Sequence, residues 1–450
     1  MKRWQPFIPS ISIFCLALLV RVIYNGTVAH NYQPSHDSLV YQSIALNLLQ
    51  GHCFCIYPHI PTVDRAPLWP ALIALIYGLF GPHDYFVRLF LCGIGAGTCL
   101  LLSLFARDLF GQRMGSLAGV IAALYPELYI YDGWLYSESI SIFLLFALCY
   151  SLYHLQRASR RPLWAWIACG VLLALVAFVR PTGLLIIGIV MLWALFTART
   201  QHIPWPSILK GAGATLLVSL ALIAPWTLRN YLVSGGFVPI ATGEGTVLLG
   251  AYNDQILSKP HYIGTWISPP TVNRPLASHY PAECSATCQV AREADFKNHA
   301  EQWVGEHISS MPFLLWTHFI NIWQPATQEA DLPTGRFSNL PATQIVLAMM
   351  NTMPLCIFAL AAFGLVATWK SWQELTFLYL VILMTIAQCL VFYGSARFRA
   401  PLEPMLILFA TGAICWLSSR GKRTRLDDPP VLKTNKSPAL PRGIHSQKEE

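Results

Sequence analysis

Charge is what this sequence has least of. Of its 450 residues 12% are Asp, Glu, Lys or Arg, about half the share of a soluble domain, while 55% are hydrophobic. That ratio excludes an ordinary water-soluble protein. Strict alternation of apolar and polar residues in short segments is also missing, which excludes a membrane β-barrel. No glycine-rich phosphate loop of Walker or Rossmann type lies on a segment assigned to the cytoplasm, which argues against an ATP-driven transporter or a soluble-type nucleotide-sugar enzyme. The first apolar run ends without a small-residue cleavage site, so it is expected to be a retained span. His36, His52 and His59 stand near Cys53 and Cys55, but at no standard zinc spacing.

What the chain does have is a series of apolar runs near the roughly 20 residues needed to cross about 30 Å of hydrocarbon. Such runs can only be helices, because no other open structure satisfies its own backbone in lipid. The net charge of +8 sits in short loops and at the two ends, which marks topology and not a nucleic-acid footprint. Lys and Arg on the cytoplasmic side give about ten spans, both termini inside: residues 8–24, 86–106, 114–126, 140–155, 163–179, 184–196, 208–224, 345–367, 375–392 and 402–417.

Two shorter apolar stretches, 68–80 and 312–323, are expected to lie in the outer interface. The fold class is therefore an all-α polytopic membrane protein. Its membrane domain covers residues 1–418, with outer loops 25–85 and 225–343 forming one functional face. A basic tail, 419–450, is expected to be disordered.

Charges not explained by cytoplasmic flanks gather on that outer face: Asp37, Asp64, Arg65, Asp84, Arg88, Glu127, Asp132, Glu138, Arg180, Arg229, Arg397 and Arg399. Charges at the membrane boundary are costly and tend to mark substrate sites. Arg180 closes the run VAFVR before Pro181. It could simply snorkel from a helix end, but with Arg229, Arg397 and Arg399 expected at one depth, a phosphate suits the guanidinium forks better.

Asp37 could be a helix N-cap, although Ser38 could cap equally well and free it. A carboxylate near lipid can have a raised pKa and serve as a general base. Glu138, in YSESIS, could be a first-turn acid favoured by the helix dipole, with Ser137 or Ser139 as cap. Glu127 and Asp132 are expected to be solvated loop acids. Asn230 and Asn253 could bind sugar hydroxyls or serve as turn residues. Cys284 and Cys288, four apart in the long outer loop, are candidates for a local disulfide.

The ordered motifs HDSLVY, DRAPLWP, SES, FVRP, PWTLRNY and ARFRAPLEP, spread over residues 8 to about 417, resemble those of bacterial membrane glycosyltransferases of the GT-C superfamily. The relatives meant are the protein O-mannosyltransferases and the aminoarabinose transferase of lipid A, in glycosyltransferase family 39. The resemblance implies an integral protein of the bacterial inner membrane with a site facing the periplasm. Such an enzyme moves a sugar from a polyprenyl-phosphate donor to a lipid, glycan or protein acceptor.

By position, Asp37 would be the catalytic base and Glu138 the second acid. Arg65, Arg180, Arg229, Arg397 and Arg399 would be candidates for the carrier phosphate, with Asn230 and Asn253 as further substrate contacts. Many relatives follow the first-loop Asp with Glu; here Ser38 stands in that place, so dependence on magnesium or manganese is left open. Two competing readings are a transporter or flippase of an anionic lipid or lipid-linked sugar, and a polymerase or ligase of lipid-linked glycans. A transporter would need a polar path at the midplane, whereas the spans here carry few charges in their middles.

Overall fold

The computed structural model describes residues 8–158, 161–201, 204–325 and 337–420. The tail expected from residue 419 lies, from 421 on, outside the described residues. The apolar runs form helices, as backbone satisfaction in lipid requires. In chain order these are α1 (Ile8–Gly26), α2 (Asp37–Leu49), α3 (Leu68–Phe80), α4 (Asp84–Phe110), α5 (Gln112–Leu124), α6 (Glu138–Arg157), α7 (Leu163–Val179), α8 (Gly183–Thr200) and α9 (Trp205–Ser234). A small hairpin of β1 (Cys55–Tyr57) and β2 (Ile60–Pro61) stands between α2 and α3. The tight turn joining its strands is made by His59, with φ 65°.

The long segment that follows α9 is itself folded. It carries the short helices α10 (Glu244–Ala251), α11 (Asp254–Ser258), α12 (Pro269–Val272) and α13 (Arg274–Ser278), then α14 (Ala286–Glu306) and α15 (Met311–Ile322). The chain returns to the bundle through α16 (Pro341–Ala367), α17 (Trp372–Val391), α18 (Ala396–Arg399) and α19 (Glu403–Arg420).

Eight segments among the described residues are long and apolar enough to cross a membrane: α1, α4, α6, α8, α9, α16, α17 with the turn before it, and α18 with α19. The sequence expectation of about ten differs at α5 and α7, which are 13 and 17 residues long. A 13-residue helix is about 20 Å long, short of a hydrocarbon core. α5 stops there because Pro126 opens a pair of 3₁₀ turns, Pro126–Leu128 and Ile130–Gly133, whose residues are buried in the bundle. α3 and α15, expected in the interface, have 13 and 12 residues.

The main core joins α1, α4, α5, α6, α16 and α19. α16 and α19 approach so closely at Gly364 that a Cβ there would lie 1.9 Å from the Phe409 carbonyl oxygen. Charges segregate to the two ends of the bundle. At one end Asp108 meets Arg107 and His154, and Arg157 pairs with Glu374 at 2.8 Å. The other end gathers Asp37, Arg65, Glu138, Arg180 and Arg397.

Candidate functional site

Asp37 opens α2, and the residue before it, His36, has φ 51° and ψ −126°. A non-glycine residue at positive φ is strained, and such strain persists where its surroundings impose it. The turn leaves α2 without a side-chain cap. His36 makes no capping bond, and Ser38 lies fully buried in the first turn, which corrects the expectation that it caps. The Asp37 carboxylate is therefore free of backbone duty and points to two arginines. Arg65 donates Nη2 to Oδ1 at 3.0 Å, and Arg397 donates Nη2 to Oδ2 at 2.7 Å.

Glu138 opens α6, fully buried. Its Oε1 accepts from Arg180 Nη2 at 2.6 Å and from Arg397 Nε. The caps expected for α6 are not made. Ser137 makes no capping bond, and Ser139 donates instead to Asp132 Oδ1 at 2.5 Å. Arg397 stacks over the Tyr136 ring with its guanidinium carbon 4.5 Å from the ring centroid.

Two carboxylates and three guanidiniums leave this group one positive charge in excess. A half-buried cluster with that balance is suited to an additional anion. Burial pushes the Asp37 carboxyl up, but Arg397 and then Arg65 overcome it and hold the group well below the usual carboxylate range. This reverses the raised value expected from the sequence.

The donor set does not suit a divalent cation. Both Asp37 oxygens and the engaged Glu138 oxygen are already held by guanidiniums. Ser38 brings no charge, and three arginines would repel a metal ion.

Other residues singled out in the sequence lie elsewhere. Arg399, fully buried, pairs with Glu403 at 2.6 Å and Glu127 at 3.4 Å and donates to the Ile322 and Gln324 carbonyls. Its role is to knit α15, α18 and α19 together inside the bundle. Arg229 donates to the Thr62 and Phe54 carbonyls and stacks on Trp226 and Phe54. Asn230 is buried and donates to the Val238 and Ile240 carbonyls, while Asn253 caps α11. Both asparagines hold turns.

Glu127 and Asp132, expected to be solvated, are 1% and 0% exposed. Asp132 pairs with Arg21 Nε at 2.8 Å, and both side chains are fully buried. Arg21, Glu403, Gln289 and Arg292 were not singled out in the sequence. Arg21, Gln289 and Arg292 meet partners distant in the chain, which no local pattern reports, while Glu403 pairs with Arg399 four residues before it.

Beside the arginines lies an apolar cavity of about 400 Å³, lined by Pro67, Leu68, Ala71, Phe178, Leu222, Pro225 and Trp226. Pro67 is two residues from Arg65 and Phe178 two from Arg180, so each wall lies within about 7 Å of chain from a guanidinium-bearing residue. Ala66, Ala177 and Ile223 pack together and fix this proximity.

Against known proteins, the sequence model described as dolichyl-phosphate-mannose-protein mannosyltransferase matches residues 64–228. No curated protein matches the sequence. Among solved structures, the archaeal oligosaccharyltransferase AglB of Archaeoglobus fulgidus, in complex with an inhibitory peptide and a dolichol-phosphate, aligns with a TM-score of 0.55 at 13% identity. The alignment covers 95% of this chain and 52% of the other, so the chain spans about half the length of that protein. The apo form of the Archaeoglobus enzyme gives the same score over 93% of this chain and 51% of its own. ArnT from Cupriavidus metallidurans, bound to undecaprenyl phosphate, aligns with a TM-score of 0.41 at 13% identity, covering 92% and 79%.

The fold and the site define a class: this chain is an all-α polytopic membrane protein that shares its fold with the archaeal oligosaccharyltransferase, and residues 64–228 are similar to the mannosyltransferase family model.

Proposed function

We propose that this protein transfers a sugar from a polyprenyl-phosphate carrier to a lipid, glycan or protein acceptor at the outer face of the inner membrane. The observation that carries the reading is a juxtaposition. A cluster with one positive charge in excess stands beside an apolar cavity. An anionic head on an apolar tail is the ligand that satisfies both.

In this reading Arg65, Arg180 and Arg397 take the carrier phosphate, and the first isoprene units enter the cavity between Leu68, Phe178 and Leu222. The phosphate competes with Asp37 and Glu138 for the guanidiniums, so the arriving donor loosens Asp37 from the arginines that depress its basicity. Asp37 then accepts the proton of the acceptor hydroxyl or amine as that atom attacks the anomeric carbon. The sugar–phosphate bond breaks, and the arginines receive the charge that develops on the departing phosphate. A single displacement inverts the anomeric centre.

Purified protein in lipid, incubated with a panel of radiolabelled polyprenyl-phosphate sugars and acceptors, tests the reading. Donor-dependent transfer with inversion supports it. Movement of intact donor across a sealed bilayer without bond cleavage would favour a transporter instead.

A further inference from the structure

Arg65 does not hold its own position; its loop is gripped from a helix more than two hundred residues away. Gln289, 4% exposed in the first turn of α14, accepts at Oε1 from Thr62 Oγ1 at 3.0 Å and from the Val63 backbone amide at 2.9 Å. Its Nε2 donates to the Cys284 carbonyl at 2.9 Å. One turn on, Arg292 Nη2 pairs with Asp64 Oδ2 at 2.8 Å. Residues 62–64 are thereby fixed in main chain and side chain, and the next residue, Arg65, reaches Asp37.

The start of α14 is itself pinned. Cys284 and Cys288 are joined by a disulfide, with Cα atoms 5.4 Å apart. Ser285 caps the helix by accepting from the Cys288 amide at 3.3 Å. Further along, Glu293 binds the Thr246 amide and hydroxyl at 2.9 and 2.6 Å. There α10 comes so close that a Cβ on Gly245 would lie 2.0 Å from the Glu293 carbonyl oxygen. Ala286 and Val63 pack in one small apolar cluster with Val238. A buried glutamine making three hydrogen bonds to two segments fixes their spacing, because each donor or acceptor would be costly to leave unpaired.

We propose that Gln289 and Arg292 are positioning residues for Arg65, and that the Cys284–Cys288 disulfide holds their helix against the loop. They touch no substrate; they set where the Arg65 guanidinium stands for the carrier phosphate. This rests on the role given to Arg65 under the proposed function.

The test uses the full chain in lipid nanodiscs with undecaprenyl phosphate as probe. It reads amide hydrogen exchange at Val63 and probe affinity for wild type, Gln289→Leu, Arg292→Lys and the Cys284→Ser/Cys288→Ser pair. Exchange at Val63 is expected to rise about tenfold or more in Gln289→Leu, which removes the acceptor of that amide, and severalfold in the serine pair. Affinity is expected to fall about tenfold in Gln289→Leu.

Combined with Arg65→Lys, Gln289→Leu is expected to add no further loss, because both act through one guanidinium. Unchanged exchange at Val63, or losses that multiply, would overturn the proposal. Should Gln289→Leu not fold, the serine pair and Arg292→Lys carry the same comparison. Failure of wild type to bind undecaprenyl phosphate would overturn the proposed function, while the exchange measurement still decides the clamp.

Discussion

Arg397 donates Nη2 to Asp37 and Nε to Glu138, so a single guanidinium ties the acid at the start of α2 to the acid at the start of α6. α2 lies between α1 and α3, α6 follows the 3₁₀ turns after α5, and this arginine comes from the short helix before the last span. The arginine also keeps Asp37 from accepting a proton, until another anion competes for it.

Removing Glu138 should expose that dependence. Glu138→Gln removes the buried counter-charge of Arg180 and one of the two carboxylates that hold Arg397 and is expected to destabilise the protein by about 3 kcal/mol, the low end for breaking a buried pair. Thermal unfolding in nanodiscs measures it. Undecaprenyl phosphate should restore stability more in the variant than in wild type, since the phosphate supplies the missing charge.

The pH profile separates two accounts of Asp37. Its folded-state pKa is depressed by Arg397 and Arg65. The stability this contributes is therefore present above the unfolded value of about 3.9 and is lost as pH falls towards the folded one. The free protein thus keeps Asp37 ionised throughout the neutral and mildly acidic range. Transfer at low donor concentration, which follows kcat/KM, should show no acid limb from Asp37 above about pH 5. A limb between pH 6 and 7 that disappears in Asp37→Asn would mean that burial prevails over the arginines.

His36 holds the turn into α2 at φ 51°. Glycine accepts that backbone freely, so His36→Gly should stabilise the fold by about 1 kcal/mol, the lower end of the strain expected there. Chemical or thermal unfolding of the two forms would show it, and a loss of stability would mean that the His36 ring contributes more than its backbone costs.

The Arg21–Asp132 pair is fully buried at 2.8 Å. Arg21→Met and Asp132→Ala should each cost about 3–5 kcal/mol, because each strands the opposite charge, and the double variant should recover much of that loss. A double-mutant cycle on unfolding temperature decides it; additive losses would show that the two side chains do not depend on each other.

Much of this architecture is legible in the sequence because an apolar run near 20 residues has one solution in lipid. The grouping of Asp37, Arg65, Glu138, Arg180 and Arg397 was also within reach, since motif order and span direction put all five at one end. Local composition could not distinguish Arg397, which turns to the acids, from Arg399, which turns into the bundle towards Glu127 and Glu403. Two residues apart on a four-residue helix, they point to different sides. Glu127 and Asp132 looked solvated because loop acids usually are; their arginine partners come from α18 and α1. α5 fell short of a span because its last apolar residues wind into 3₁₀ turns, a break that Pro126 signals without fixing its extent.

The most direct test of the central claim is single-turnover transfer from a radiolabelled polyprenyl-phosphate sugar, comparing wild type with Asp37→Asn and with Arg397→Lys, alongside equilibrium binding of undecaprenyl phosphate. The account predicts that Asp37→Asn binds the lipid phosphate at least as tightly as wild type, because the arginines are released, yet transfers sugar about 10²–10⁴-fold more slowly. Arg397→Lys should weaken binding and transfer together. Equal turnover by Asp37→Asn and wild type would contradict it.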